Sequence, residues 1–408
     1  MAGITPKGTH RIRFGLTVPP VHGSPAMKIV QLLPSLDLGG MERLAVDLAC
    51  QQKAEGHAPS IYCTSHPGQL MPESEAARVP VHAFGKTTGF SLHLIRDLAT
   101  RLRVDRPDVL HAHNALVLHY GIAAARLARI PVVVNTRHGG NMNWDPHCER
   151  IWQRSVRWTD DVVFVSEGVR EVYINEGRIS RDRTSVIYNG IDVEKFSAHP
   201  AQPATHLPRF RVGTVARLVP AKDHVTLIRA FSLVAKVMPE AELHILGEGP
   251  CRAAISQTAE SLGIANRVFL HGAGYDVPGF LSALDLFVLS SIDEGLPISL
   301  MEAMAAGLPV VSTRLPGLTE LAPESLVAGY CTAGQPESLA EHILRAARRP
   351  DLPVLGEAAR RWAQKFGIRE TWRQYQAVFE ASLAKKRRGF KERVAASVGD
   401  FAATGHGH

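Results

Sequence analysis

Short apolar runs alternate with amphipathic stretches along nearly the whole chain, and this alternation is broken only once. In the first half the apolar runs 29–33, 60–63, 79–83, 109–112, 132–135, 161–165 and 185–187 read as strands. Helical spacing separates most of them, most clearly at 40–52 and 115–128. A helix between two strands returns the chain in the same direction, so these strands must form a parallel sheet covered on both faces. The pattern stops at 199–208, which is Pro-rich and has no periodic apolar face, so it reads as a linker. It then resumes with strands at 210–216, 242–246, 268–271, 286–289, 309–313 and 326–327, and helices at 225–237, 252–262 and 337–348. Further helices are expected at about 355–366 and 370–384. Two doubly wound α/β domains in tandem are therefore expected, with a ligand cleft between the C-terminal ends of their strands. A length of 408 residues, 45% of them hydrophobic, also exceeds one ordinary core.

Bulk chemistry narrows the partners. The formal charge of +7 favours anionic ligands or surfaces. Its densest cluster is KKRRGFKER at 385–393, placed in an expected basic flexible tail over 386–408 that suits an anionic membrane surface. No nucleic-acid motif accompanies the charge, so nucleic acid is not an expected partner. No apolar run reaches the roughly 18 residues of a membrane span. Residues 1–26 carry no periodicity and do not read as a secretory signal, so a flexible N-terminal extension is expected there. Cys50, Cys63, Cys148, Cys251 and Cys331 show no Cys-x-x-Cys spacing, which reads as reduced thiols in a cytoplasmic protein.

The segment EGLPISLMEAMAAGLP at 294–309 carries the most chemistry. It joins the apolar run 286–291 to a helix that opens with Pro297 at a tolerated early position. Glu294 then lies in the strand-to-helix loop and Glu302 about two turns away on the helix. Between them stand the free N–H groups of a helix N-terminus, which bind phosphate. Acceptors on both sides of an anion cradle suit a nucleotide sugar. Arg217 and Lys222, in RLVPAK after the first strand of the second domain, can neutralise a diphosphate there. Gly247 and Gly249 in GEGP, and the HGAG turn at 271–274, allow tight turns and close backbone approach. In the first domain Gly39 and Gly40 precede a helix and can present N–H groups to a phosphate or hydroxyl. His113, Arg137 and His138 end neighbouring strands and are candidates for sugar or acceptor contact. No Asp-x-Asp or His-x-x-x-His spacing points to a metal.

The Glu-x7-Glu spacing with its flanking Gly, Pro, Ala-Met-Ala and Gly-x-Pro resembles the retaining glycosyltransferases of family four, which have the GT-B architecture. Arg-Leu-x-x-x-Lys at 217–222, Gly-Gly-x-Glu at 39–42 and Asn-Gly-Ile-Asp at 189–192 are similar to that family too. The last of these reads as a turn that shapes the hinge, since Asn-Gly is strong turn chemistry. The resemblance covers about residues 27–384. It implies an acceptor-side Rossmann-like domain over 27–200, a nucleotide-sugar-binding one over 201–368, and a helix at 369–385 crossing back to the first. It implies that Glu294 contacts the donor sugar and that Glu302 holds the ribose. Arg217, Lys222 and the backbone around Gly295, Leu296, Ile298 and Ser299 would bind the diphosphate, and His138 would stand beside the transferred sugar. The expected activity is metal-independent hexosyl transfer with retention, needing no cofactor beyond the donor substrate. The acceptor would be a glycan or a lipid-linked glycan in cell-surface polysaccharide or glycolipid assembly, at the inner face of the membrane. Loops 68–75, 86–90 and 139–148 are the expected acceptor loops. Competing assignments are a nucleotide-sugar 2-epimerase of the same architecture and a non-catalytic nucleotide-sugar-binding protein.

Overall fold

The computed structural model describes residues 25–139, 146–200, 209–274 and 276–404. Most of the acceptor loop 139–148, most of the extension 1–26 and most of the linker 199–208 lie outside them.

The N-terminal lobe is one parallel sheet of seven strands: β1 (Lys28–Leu33), β2 (Ala58–Cys63), β3 (Val81–Ala83), β4 (Val109–His113), β5 (Val132–Arg137), β6 (Asp161–Phe164) and β7 (Thr184–Val186). Its helices are α1 (Gly40–Ala54), α2 (Met71–Ala76), α3 (Leu92–Asp105), α4 (Asn114–Ala128), α5 (Pro146–Ser155), α6 (Glu167–Asn175) and α7 (Val193–Ser197). The strand order is β3-β2-β1-β4-β5-β6-β7.

The C-terminal lobe repeats the plan with six parallel strands: β8 (Arg211–Val215), β9 (Glu242–Leu246), β10 (Val268–Gly272), β11 (Leu286–Leu289), β12 (Val310–Thr313) and β13 (Gly329–Cys331). Around them lie α8 (His224–Val237), α9 (Arg252–Ser261), α10 (Val277–Ser282), α11 (Ile298–Ala305), α12 (Pro316–Leu321), α13 (Pro336–Ala347) and α14 (Leu352–Ala363). The order is β10-β9-β8-β11-β12-β13.

Both sheets reverse their winding at one point, between β1 and β4 and between β8 and β11. Neighbouring loops diverge there and leave a crevice at the strands' C-terminal ends. Gly39 and Gly40 follow β1, His113 ends β4, Arg217 and Lys222 follow β8, and Glu294 follows β11. One apolar cluster continues across the two lobes, from Leu44 and Leu48 on α1 to Leu296, Ile298 and Met301 around α11.

The last helix, α15 (Ile368–Thr404), leaves the C-terminal lobe and packs on α1 and β5. Its entry is fixed by backbone bonds: Ile191 N donates to Phe366 O at 2.9 Å and Ile368 N to Ile191 O at 2.8 Å. The Trp372 indole is fully buried, sits edge-on to His57 at 5.0 Å between ring centres, and donates Nε1 to Glu55 Oε2 at 3.2 Å. The Tyr375 hydroxyl lies 3.0 Å from Thr136 Oγ1 of β5.

Three readings are corrected here. The basic stretch expected to form a flexible tail continues α15 as helix as far as Thr404, and Lys386 pairs with Asp160 at 2.6 Å. The last strand lies at Gly329–Cys331, not at 326–327, because residues 324–326 are taken up by a short 3-10 turn after Pro323. Tyr330 then anchors the strand, with its hydroxyl 2.9 Å from Leu318 O. The Asn189–Gly190 pair, expected as a turn, forms none. The missing side chain of Gly190 admits α15 instead, since a Cβ there would stand 2.4 Å from Thr371 Oγ1 and 2.9 Å from Ile368 Cα.

Candidate active site

The loops after β8 and β11 are tied together before any ligand arrives. Ile292 N donates to Ala221 O at 2.9 Å, and Ser290 Oγ to Lys222 O at 2.8 Å. This brings Lys222 Nζ to 2.5 Å from Glu294 Oε1, an oxygen that also accepts from Ser291 Oγ at 2.7 Å. The two charged side chains are 21% and 6% exposed, so the pair is largely desolvated. Ser291 is held in turn by Thr313 Oγ1, which donates to its carbonyl at 2.7 Å. Pro297 is the residue just before the helix, one place earlier than the sequence implies, and α11 begins at Ile298. The N–H groups of Ile298, Ser299 and Leu300 therefore have no acceptor within the helix.

Arg217 is exposed just past the end of β8, and its charge acts on Glu42 of α1 across the cleft. Burial raises the Glu42 carboxyl above its ordinary range, and its own backbone N–H and Arg217 oppose this. The Glu42 carboxylate folds over Gly39, where a Cβ would meet Oε2 at 2.3 Å. A glutamate three places into a helix thus reaches back over the residue that caps it. Gly247 and Gly249 serve the same loops. A Cβ on Gly247 would stand 1.9 Å from Ala216 O, and one on Gly249 2.5 Å from Leu218 O, so only glycine lets the β9 loop lie against the loop that carries Arg217.

The lobes meet directly at this site. A Cβ on Gly295 would stand 2.2 Å from the His138 carbonyl oxygen, so the Glu294–Gly295 turn rests on the end of β5. Gly40 approaches Ile298 in the same way, at 3.8 Å from a built Cβ. Asn189 Nδ2 donates to Leu296 O at 2.7 Å. Glu320 of α12 accepts from the N–H groups of Glu167 and Gly168 at the start of α6, at 2.7 and 3.0 Å, and from the Tyr188 hydroxyl at 2.7 Å.

His138 is half-buried at the end of β5, and Asn114 Oδ1 accepts its backbone N–H at 2.9 Å. Burial, with the Arg137 charge adding to it, pushes the His138 imidazole down to about 3. His113 and Arg137 are placed otherwise than expected. Both are fully buried, so neither side chain can touch a sugar in this arrangement. Arg137 pairs with Glu149 at 2.6 Å and lies over the rings of Trp152 and Tyr173 at 5.1 and 5.3 Å. Its role is to tie α5 and α6 onto the sheet. His113 bonds inside the sheet to Gln31 and His138, each at 2.8 Å.

Glu302 is 8% exposed on α11 and faces Arg43 and Asp47 of α1 and Lys195 of α7. Burial raises its carboxyl to about 7, with Arg43 and Lys195 pulling it down and Asp47 pushing it up. Arg43 itself makes a two-pronged bond to Glu73 at 2.5 and 2.8 Å. Among the described residues no group of three or more His, Cys, Asp or Glu stands together to hold a metal. Ser291, Asn114, Gln31 and Glu320 escaped the sequence reading. Only Gln31 carries a local signal, as a polar residue inside the apolar strand KIVQLL.

Comparison with known proteins accords with this geometry. The profile described as "Glycosyl transferases group 1" matches residues 197–365, and "Glycosyltransferase Family 4" matches 38–195. A UDP-Gal:alpha-D-GlcNAc-diphosphoundecaprenol alpha-1,3-galactosyltransferase of Escherichia coli is 27% identical over 253 residues, 56% of this chain and 64% of that one. The chain thus spans a little under two thirds of that relative. A GDP-mannose-dependent alpha-(1-6)-phosphatidylinositol monomannoside mannosyltransferase of Mycobacterium tuberculosis is 27% identical over 276 residues, 61% of this chain and 71% of that one. The fold is similar to that of Anabaena HepE in its crystal structure with UDP and glucose, with a TM-score of 0.75 and 23% identity over 87% of this chain and 99% of that chain. With both lobes matched in order and the two sheets facing one cleft, the chain belongs to the family-four, group 1 glycosyltransferases of GT-B architecture.

Proposed function

We propose that this chain transfers a hexosyl unit from a nucleoside-diphosphate sugar to a hydroxyl of a lipid-linked or glycan acceptor, with retention of configuration. The observation that carries this reading is the meeting of the Lys222–Glu294 pair and the α11 N-terminus with His138 of the other lobe. Cations, free N–H groups and a carboxylate there address the diphosphate and sugar of one donor. In the step, the bond from the anomeric carbon to the diphosphate oxygen breaks, and its electron pair leaves with the diphosphate. Lys222, Arg217 and the α11 amides stabilise that developing charge. These fixed cations take the part a divalent ion would otherwise play, which is why the reading is metal-independent. The acceptor hydroxyl adds from the same face and its proton passes to the departing phosphate oxygen. Glu294 orients sugar hydroxyls, Glu302 holds the ribose, and the lobe contact excludes water that would hydrolyse the donor.

The two relatives named above take a nucleoside-diphosphate sugar and a lipid-linked acceptor by name, which supports the same substrate classes here. Exposed Lys385, Arg387, Arg388 and Phe390 on α15 suit contact with an anionic bilayer. The test is a thermal-shift panel of nucleotides and nucleotide sugars, followed by transfer of radiolabel to lipid extracts. A shift by one nucleoside diphosphate and label in the lipid phase are expected. Epimerised free sugar, or binding without turnover, refutes the proposal. Vesicles rich in phosphatidylglycerol should carry the protein up a gradient at low salt and release it at high salt. Failure to float at any salt concentration removes the membrane part alone.

A further inference from the structure

A line of uncharged side chains runs through the core of the N-terminal lobe and ends at His138. Gln31 Nε2 of β1 donates to Gln52 Oε1 of α1 at 3.2 Å. Gln31 Oε1 stands 2.8 Å from His113 Nε2, and His113 Nδ1 stands 2.8 Å from His138 Nε2. Gln31, Gln52 and His113 are fully buried, and the rings of His113 and His138 stack at 22° with centres 5.1 Å apart. Polar groups in a sheet core are costly unless they bond, so so long a row of them calls for a reason.

The direction of the protons follows from the Gln31 amide, whose nitrogen faces Gln52 and whose oxygen faces His113. Burial drives both imidazoles far below their ordinary range, so both are neutral. A neutral imidazole has one N–H and one lone pair. An amide oxygen only accepts, so His113 Nε2 must carry the hydrogen that meets Gln31. His113 Nδ1 is then a lone pair, and His138 Nε2 must donate to it. His138 is left with Nδ1 unprotonated.

We propose that Gln31 and His113 are positioning residues that lock His138 in the Nε2–H tautomer, leaving Nδ1 to accept a hydrogen bond from a hydroxyl of the bound sugar or acceptor. The lock rests on the reading above that His138 stands beside the transferred sugar. In the opposite tautomer, Nδ1 would present a hydrogen to that hydroxyl and could no longer accept from it. Neither Gln31 nor His113 touches substrate. Their effect passes only through the ring they orient.

The test is nitrogen NMR of the full chain with labelled histidine, the His138 signals being assigned by their loss in His138→Ala. The wild type should show His138 protonated on Nε2 and bare on Nδ1. Gln31→Met and His113→Leu remove the acceptor chain and should let His138 sample both tautomers. His113→Asn keeps an acceptor where Nδ1 stood and should restore the wild-type signature. In transfer assays the first two should lower kcat about tenfold, roughly the worth of one hydrogen bond, with donor KM within about twofold of wild type. A His138 protonated on Nδ1 in the wild type, or an unchanged tautomer in His113→Leu, overturns the lock. Wild-type transfer by His138→Ala instead overturns the reading of His138 at the sugar, and with it the purpose of the lock.

Discussion

Replacing Lys222 by methionine keeps the length of the side chain and removes its charge. It leaves Glu294, whose side chain is 6% exposed, with the Ser291 hydroxyl at 2.7 Å as its remaining side-chain donor among the described residues. At 2.5 Å the attraction within the pair is about 6–7 kcal/mol for an effective dielectric of about 20. Desolvation of both groups cancels much of this. Breaking a buried pair from one side costs ~3–5 kcal/mol, because the remaining charge is stranded. Lys222 is 21% exposed, so water reaches the vacated place, and the loss belongs near ~3 kcal/mol. For a lobe of this size each kcal/mol is worth about 2–4 °C, which gives a fall in Tm of about 6–12 °C without ligand. Adding Glu294→Gln in the same chain removes the stranded charge, so the double variant should melt above Lys222→Met and reveal a coupling of at least ~1 kcal/mol. Scanning calorimetry of the four proteins measures this, and transfer by Lys222→Met should fall about 10²–10³-fold because a fixed cation at the leaving group is gone. A Tm within about 1 °C of wild type would refute a desolvated pair. So would losses that simply add.

The Glu302 carboxyl, held by burial at about 7 against an ordinary 4.5, binds its proton more tightly in the folded chain. Stability is therefore lost as pH rises through about 4.5 to 7, by about 3 kcal/mol in all. Denaturant melts at pH 5 and pH 8 should show this fall in the wild type and a smaller one in Glu302→Gln; equal falls would contradict it. The neighbouring Asp47, raised by burial to about 6, remains in both proteins, so a residual fall is expected in Glu302→Gln. Gly295→Ala places a methyl 2.2 Å from a backbone oxygen of the other lobe, so it must push the lobes apart, at about 1–3 kcal/mol of strain. Transfer should collapse while nucleotide binding by the C-terminal lobe persists, as read by calorimetric titration; wild-type turnover would sink the lobe contact. Trp372→Ala removes a fully buried ring between α15 and α1 and should cost about 3–5 kcal/mol, with hydrogen exchange rising at both helices.

The architecture was legible because its signal is local. Alternating apolar runs report burial of each strand without reference to any other, and β9 and β11 fall at the bounds their runs imply. The same holds for the turn chemistry that puts Gly39, Gly247 and Gly295 in the connections that follow strands. Where the local signal was thin, the reading slipped. An apolar pair at 326–327 looked like the last strand, whereas Tyr330, reaching back to α12, decides where that strand forms. Gly190 looked like a turn residue, but a helix that begins at Ile368 requires its bare backbone.

The chemical roles divide along the same line. The sequence alone determined two parallel sheets and the kinds of side chain present at each strand end. Which of those side chains face a ligand and which are sealed in the core was decided by tertiary structure. Arg137 and His138 are adjacent in the chain, yet one is buried on Glu149 and the other stands at the lobe contact. Lys222 finds Glu294 from 72 positions away, and His113 finds Gln31 from 82. Desolvation and pairing are properties of neighbours in space, and periodicity along a chain carries no record of neighbours that distant.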